Sequence, residues 1–295
     1  MDFTGLSAFP MTPSDEDGRV QTDQLQRFLD RLKVADVGSV CLLGSTGTYA
    51  YLSRPERRRA IEAAVEGLAC CLPLIVGVGA IRTDEACSLA RDASIAGANA
   101  LLLAPVSYTP LTQEEAFQHY QAVAAATDLP LCIYNNPGTT HFTFSLDLLE
   151  RLANVPGIAA VKMPLPVHGN ISNDLLRLRN ALPDNFAIGY SGDWGCAEAL
   201  LAGADTWYSV VAGLFPGIAV QLTRAAQAGR TDEVHLLDAR LTPLWDLFKE
   251  YGSLRVIYAA AKQLGLTTCD APRPILPLGK GEARRVAVAT EHLMN

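Results

Sequence analysis

Several things are scarce in this chain of 295 residues. Lysine is one: there are five against nineteen arginines. Aromatic residues make up only 7% and charged residues 19%. No run approaches the roughly eighteen to twenty apolar residues of a membrane-crossing helix. MDFTGLSAFP lacks the basic start and long apolar stretch of a secretory leader, so a cytoplasmic location is expected. C-x-x-C is absent, and the seven cysteines are an odd number, so no disulfide framework or zinc site suggests itself. Cys41, Cys87 and Cys132 lie in apolar or helical segments and read as buried free thiols of a reducing compartment. The net charge is −7, which speaks against a nucleic-acid binder, because phosphate backbones call for a basic face. What remains is a core-rich chain, 49% hydrophobic, suited to small-molecule work.

What is present is a rhythm. Short apolar segments recur about every thirty residues: GLSAF (5–9), SVCLLG (39–44), PLIVGVG (73–79), ALLLAP (100–105), PLCIYN (130–135), IAAVKM (158–163), FAIGYSG (186–192) and TWYSVVA (206–212). Each is apolar on both faces, as strands of a buried parallel sheet are. Amphipathic helices separate them. Thr22 opens a stripe of Leu25, Phe28, Leu29 and Leu32. Ser53 with Glu56, and Thr112 with Glu115, have the spacing of capping boxes, and Pro55 suits a first helical turn. AGAN (96–99), AGAD (202–205) and Asp36-Val37-Gly38 read as helix stops.

Eight strands alternating with helices predict an α/β fold, a (β/α)8 TIM barrel, over residues 1–225. The alternative is a doubly wound sheet. Its G-x-G-x-x-G fingerprint is missing after the first strand, and Gly77-Val78-Gly79 reads as a tight strand end instead. Residues 226–295 read as a helical extension packed on the barrel, with helices at 231–249, 252–265 and 281–293 and the link APRPILPLG between the last two.

Barrel chemistry gathers at the C-terminal strand ends. Strand two ends in GSTGT, whose hydroxyls and backbone N–H groups suit a carboxylate or phosphate, or form an ordinary turn. Strand five ends in Tyr134, either a proton relay or a tyrosine capping the core. Strand six ends in Lys162. An amine among apolar neighbours is desolvated, which favours its nucleophilic form and Schiff-base chemistry with ketones. The alternative is a structural lysine paired with a carboxylate such as Asp193. The other lysines fall on helices or in the tail, so Lys162 is the one amine placed for attack.

These segments together are similar to the dihydrodipicolinate synthase/N-acetylneuraminate lyase family. The resemblance rests on GSTG (44–47), Tyr108 in PVSYTPLTQEE, YNNPGT (134–139), Lys162 and SGD (191–193), in that order. It implies that Lys162 forms a Schiff base with pyruvate or another 2-keto acid and that Tyr134 relays protons. Ser45 and Thr46, with Gly47 beside them, would bind the carboxylate, and Tyr108 would complete a relay across a dimer interface. Thr139, Asp193 and Ser209 would face the rest of the substrate. The implied assembly is a homotetramer, a dimer of dimers, needing neither cofactor nor metal.

The departures concern substrate. Thr139 stands where the synthases carry an arginine for the carboxylate of aspartate semialdehyde, and a threonine makes no bidentate ion pair. Thr48 replaces their glutamate, and Met163-Pro164 lack the polar run of sialic-acid lyases. A paralogue acting on another 2-keto acid, by aldol addition, cleavage or dehydration, is therefore expected, with true dihydrodipicolinate synthesis as the alternative. Two readings come from other classes. His141, His168 and Asp193 offer a two-His, one-carboxylate metal site, though without H-x-H or H-E-x-x-H spacing. A silent keto-acid-binding barrel is the other, against which the retained Lys162 and Tyr134 argue. Of Trp194 and Trp207, one is expected in the core and one in the pocket.

Overall fold

A computed structural model describes residues 1–168 and 170–293. Eight strands form a closed, all-parallel barrel in sequence order: β1 (Gly5–Ala8), β2 (Ser39–Leu42), β3 (Leu74–Gly77), β4 (Ala100–Leu103), β5 (Leu131–Tyr134), β6 (Ile158–Met163), β7 (Ala187–Tyr190) and β8 (Thr206–Ser209). Around it lie α1 (Thr22–Ala35), α2 (Arg54–Leu68), α3 (Thr83–Ala96), α4 (Gln113–Ala124), α5 (Pro137–Thr140), α6 (Leu146–Ala153), α7 (Ile171–Ala181), α8 (Cys196–Leu201) and α9 (Pro216–Gln227). Three more helices follow, α10 (Thr231–Tyr251), α11 (Ser253–Gln263) and α12 (Lys280–Thr290), and α10 packs on α8 and α9.

The strands are shorter than the apolar runs, and the reasons are local. The run at 39–44 stops at Leu42 because Leu43 turns left-handed, φ 58°, a conformation that costs a branched residue energy and occurs mainly where surrounding structure imposes it. Gly77 makes room for it: a Cβ there would lie 1.8 Å from the Leu43 carbonyl oxygen. The run at 206–212 ends at Ser209, whose hydroxyl accepts from Ala212 N at 3.0 Å and starts a 3-10 turn at Val211–Gly213.

The helix signals divide the same way. All four stripe residues of α1 are buried. Gly97 and Asp36 end α3 and α1 in left-handed conformations. The Thr112–Glu115 capping box forms with both its bonds. The Ser53–Glu56 box does not: the Glu56 carboxylate is taken by Val20 N–H at 2.7 Å, a tertiary bond that outcompetes the local one. All seven cysteines are free. Cys41, Cys87 and Cys132 are buried as expected, and Cys196 with them, whereas the adjacent Cys70 and Cys71 are exposed in the turn after α2.

Two buried layers result. The larger lies between strands and helices; the smaller fills the barrel with inward strand residues, among them Cys41, Leu102, Cys132 and Tyr208, and with Phe9 just after β1. Tyr208 occupies the space beside Gly189, where a Cβ would meet its ring at 2.6 Å, and its hydroxyl lies 3.3 Å from Cys132 Sγ. Small residues on β2, β5, β6 and β7 thus accommodate one large ring directly under the barrel mouth. Among the described residues, no helix is long and apolar enough to cross a membrane.

Candidate active site

The C-terminal mouth of the barrel opens into a cavity of about 760 Å³. Lys162 rises into it from β6, next to Tyr134 on β5, the two being direct register partners. Lys162 is only 3% exposed. Its Nζ lies 4.2 Å from the centre of the Phe9 ring, 4.3 Å from that of Tyr134 and 5.8 Å from that of Tyr208. Among the described residues it makes no ion pair. The amine is held by ring faces and packing, which fixes it in place and leaves its polar capacity free for a ligand.

Asp193, the carboxylate that would have paired with it, is committed elsewhere. It accepts from Trp207 Nε1 at 2.9 Å, Val211 N at 2.7 Å and Val210 N at 3.3 Å. Burial pushes its carboxyl up to about 6, against the pull of those donors and of Lys162. Asp193 thus ties the end of β7 to the end of β8. Trp207 is buried in this contact, while Trp194 stands 40% exposed at the cavity, so the two tryptophans divide between core and pocket.

The Tyr134 hydroxyl sits 3.2 Å from Ser45 Oγ and accepts from Asn136 Nδ2 at 2.9 Å. Ser45 and Thr46 line the cavity, and their backbone N–H groups make no hydrogen bond to any described residue. Two free N–H groups beside an amine suit the carboxylate of a ligand whose ketone reaches Lys162. The loop owes its shape to close packing. A Cβ on Gly44 would lie 2.8 Å from Phe9 Cδ1, and one on Gly47 would lie 2.9 Å from Leu43 N. Gly47 therefore shapes the loop from behind.

Thr139 lines the cavity mouth at the end of α5. Ser209 is fully buried with its hydroxyl engaged as a cap. Tyr108 is 94% exposed on the β4–α4 loop and does not line the cavity of its own chain. Among the described residues, no three His, Cys, Asp or Glu side chains converge as a metal site would require. His141 caps α5 in a left-handed conformation, and His168 is exposed after β6, so with Asp193 they form no ligand set.

Sequence reasoning missed Phe9, Asn136, Tyr208 and the contribution of the C-terminal helices, from which Phe248 and Leu254 line the cavity. Asn136 lies within YNNPGT, and its spacing of two from Tyr134 is the signal the sequence offers. Phe9 and Tyr208 look like any inward strand residue.

Comparison with known proteins finds relatives over nearly the whole chain. The model of the dihydrodipicolinate synthetase family matches residues 2–293. The 4-hydroxy-tetrahydrodipicolinate synthase of Nitrosomonas europaea is 35% identical over 280 residues, 94% of this chain and 93% of that one. The crystal structure of a dihydrodipicolinate synthase from Agrobacterium tumefaciens superposes with a TM-score of 0.97 at 62% identity, covering 99% and 98% of the two chains. The chloride-inhibited dihydrodipicolinate synthase of Acinetobacter baumannii, complexed with pyruvate, superposes with a TM-score of 0.91 at 28% identity over 99% of each chain.

Proposed function

The chain belongs to the dihydrodipicolinate synthetase family and is a lyase, and on that premise we propose that it is a class I, Schiff-base enzyme whose nucleophile is Lys162 and whose substrate is pyruvate or another 2-keto acid. The observation that carries this is the buried Lys162 amine, without an ion pair among the described residues and placed in register beside Tyr134. In this reading Lys162 Nζ adds to the ketone carbon, the oxygen leaves as water, and the resulting iminium draws electrons from the neighbouring carbon. Loss of a proton there, or cleavage of a C–C bond, gives the enamine. Tyr134 carries the proton, with Ser45 as its hydrogen-bond partner and Asn136 holding its hydroxyl. The N–H groups of Ser45 and Thr46 hold the keto-acid carboxylate. Thr139 borders the far side of the substrate, and Asp193 acts by fixing the strand ends. We assign no substrate contact to Gly47 or Ser209.

Residues 1–225 carry the chemistry in this proposal, and the extension at 226–295 supplies one wall of the cavity through Phe248, Leu254 and Ile275. The assembly proposed is a homotetramer of two tight dimers, in which Tyr108 reaches the site of a neighbouring copy. Its exposure in the single chain supports that. Sedimentation velocity tests it: a tetramer is expected, and a monomer with full turnover contradicts it. A cytoplasmic location is proposed as well, supported by the free cysteines.

A second reading, synthesis of 4-hydroxy-tetrahydrodipicolinate itself, is favoured by the names of the relatives. Thr139 in place of an arginine weighs against it. The proposal is tested by proton NMR of pyruvate in heavy water with the enzyme. Exchange of the methyl protons is expected, insensitive to a chelator and abolished in Lys162→Ala. Exchange that survives Lys162→Ala, or that a chelator stops, contradicts it.

A further inference from the structure

The proposed chemistry accounts for one end of the cavity. Pyruvate fills only a small part of about 760 Å³. The cavity lining includes Leu165 and Trp194 from the β6 and β7 ends and Phe248, Leu254 and Ile275 from the extension, together with uncharged polar residues such as Thr140, Ser191 and Ser253. Among the described lining residues, Lys162 is the one cation. The buried Arg57 stands outside the lining, its Nε and Nη1 donating to the Tyr49 and Gly79 carbonyls at 2.9 Å each. Asp193, the one acid in the lining, has both oxygens engaged.

The Leu165–Trp194 surface is built rigidly. Leu165 seats in a notch left by two glycines: a Cβ on Gly195 would lie 2.6 Å from its Cδ1, and one on Gly192 would lie 3.0 Å from it. Gly192 precedes and Gly195 ends the 3-10 turn Asp193–Gly195, which carries Trp194. The bonds from Asp193 to Trp207, Val210 and Val211 anchor that turn. The turn that carries the indole is therefore anchored on the strand ends, and Trp194 lines the same cavity as the Lys162 amine.

We propose that this far end is an apolar subsite, with Trp194 and Leu165 as its specificity-determining residues, and that the substrate carries an uncharged apolar or aromatic group beyond the keto-acid carbons. A second carboxylate would lose its water there without meeting a counter-charge, whereas an apolar group gains by leaving water. The inference rests on the Schiff-base reading above, and its test separates the two.

Borohydride trapping on the protein is measured against concentration for three acids: pyruvate, 2-oxo-4-phenylbutanoate and 2-oxoadipate. Half-saturation for the phenyl acid is expected at a concentration about tenfold or more below that for the dicarboxylate. Trp194→Ala raises it more for the phenyl acid than for pyruvate. Thr139→Arg, at the exposed mouth, shifts the preference toward 2-oxoadipate. If pyruvate is trapped but 2-oxoadipate saturates as early as the phenyl acid, the subsite is wrong and the Schiff-base reading stands. If Trp194→Ala leaves the ratio of phenyl acid to pyruvate unchanged, the assignment to Trp194 is overturned. If none of the three acids is trapped, the Schiff-base reading fails and this inference with it.

Discussion

Two charged side chains are buried to the same degree at adjacent strand ends, and their surroundings are opposite. Asp193, after β7, has three donors on its two oxygens. Lys162, at the end of β6, has ring faces and no ion pair among the described residues. A buried charge that is fully met is part of the framework, and one left without a counter-charge is costly unless it has work to do. The β7 end holds the mouth together so that the β6 end can remain poised for a ligand.

That contrast is broken most severely at Lys162. Lys162→Ala should lower turnover by about 10⁴-fold or more, since loss of a covalent nucleophile leaves only binding and positioning. The same site should be indifferent or favourable to stability when emptied of charge. Lys162→Met is expected to raise the urea midpoint, because it removes a buried amine that lacks a carboxylate partner. A clear fall in midpoint would show that the lysine is structural after all.

The proton relay comes next in size. Tyr134→Phe keeps the ring against Lys162 and removes only the hydroxyl, so turnover should fall by about 10²- to 10⁴-fold while the urea midpoint changes little. Loss of stability matching the loss of rate would reassign Tyr134 to the core.

At Asp193 it is the loss of acceptor capacity, rather than the loss of charge, that should cost stability. In Asp193→Asn an amide N–H₂ group faces donors, which should cost about 1–3 kcal/mol. The pH dependence sharpens the point. The folded-state carboxyl titrates at about 6, above its ordinary 3.8. The folded protein therefore holds this proton more tightly than the unfolded chain does. The associated stability, about 3 kcal/mol, is fully present below pH 3.8 and lost as pH rises through 6. Urea titrations at about pH 4 and pH 7 should show this loss in the wild type and a smaller one in Asp193→Asn. Equal slopes in the two proteins would contradict the assignment. The smallest effect is at Ser209: Ser209→Ala removes the cap on Ala212 N, for about 1 kcal/mol, with turnover unchanged.

The two ends also differ in how far the sequence revealed them. Lys162 and Tyr134 were legible because each closes an apolar run, in consecutive strands of the predicted barrel, and the register pairs them directly. The partners of Asp193 were not, because Trp207 and Val211 belong to the next strand and its following turn, and the pairing of β7 with β8 brings them close. The same holds for Glu56, drawn from its local box to Val20, and for the cavity wall from the extension. Glycines at 44 and 47 announced a loop but not their task, which is to admit Phe9 and the Leu43 backbone. Local chemistry can be read from local spacing, whereas contacts between elements wait for the fold.

The central claim is that Lys162 forms a covalent iminium with a 2-keto acid. Its most direct test is peptide mass spectrometry after borohydride reduction in the presence of pyruvate, with Lys162→Ala alongside. The account predicts one reduced pyruvate on the peptide containing Lys162 and none in the variant. An unmodified Lys162 in an enzyme that turns over pyruvate, or equal labelling of the variant, would contradict it.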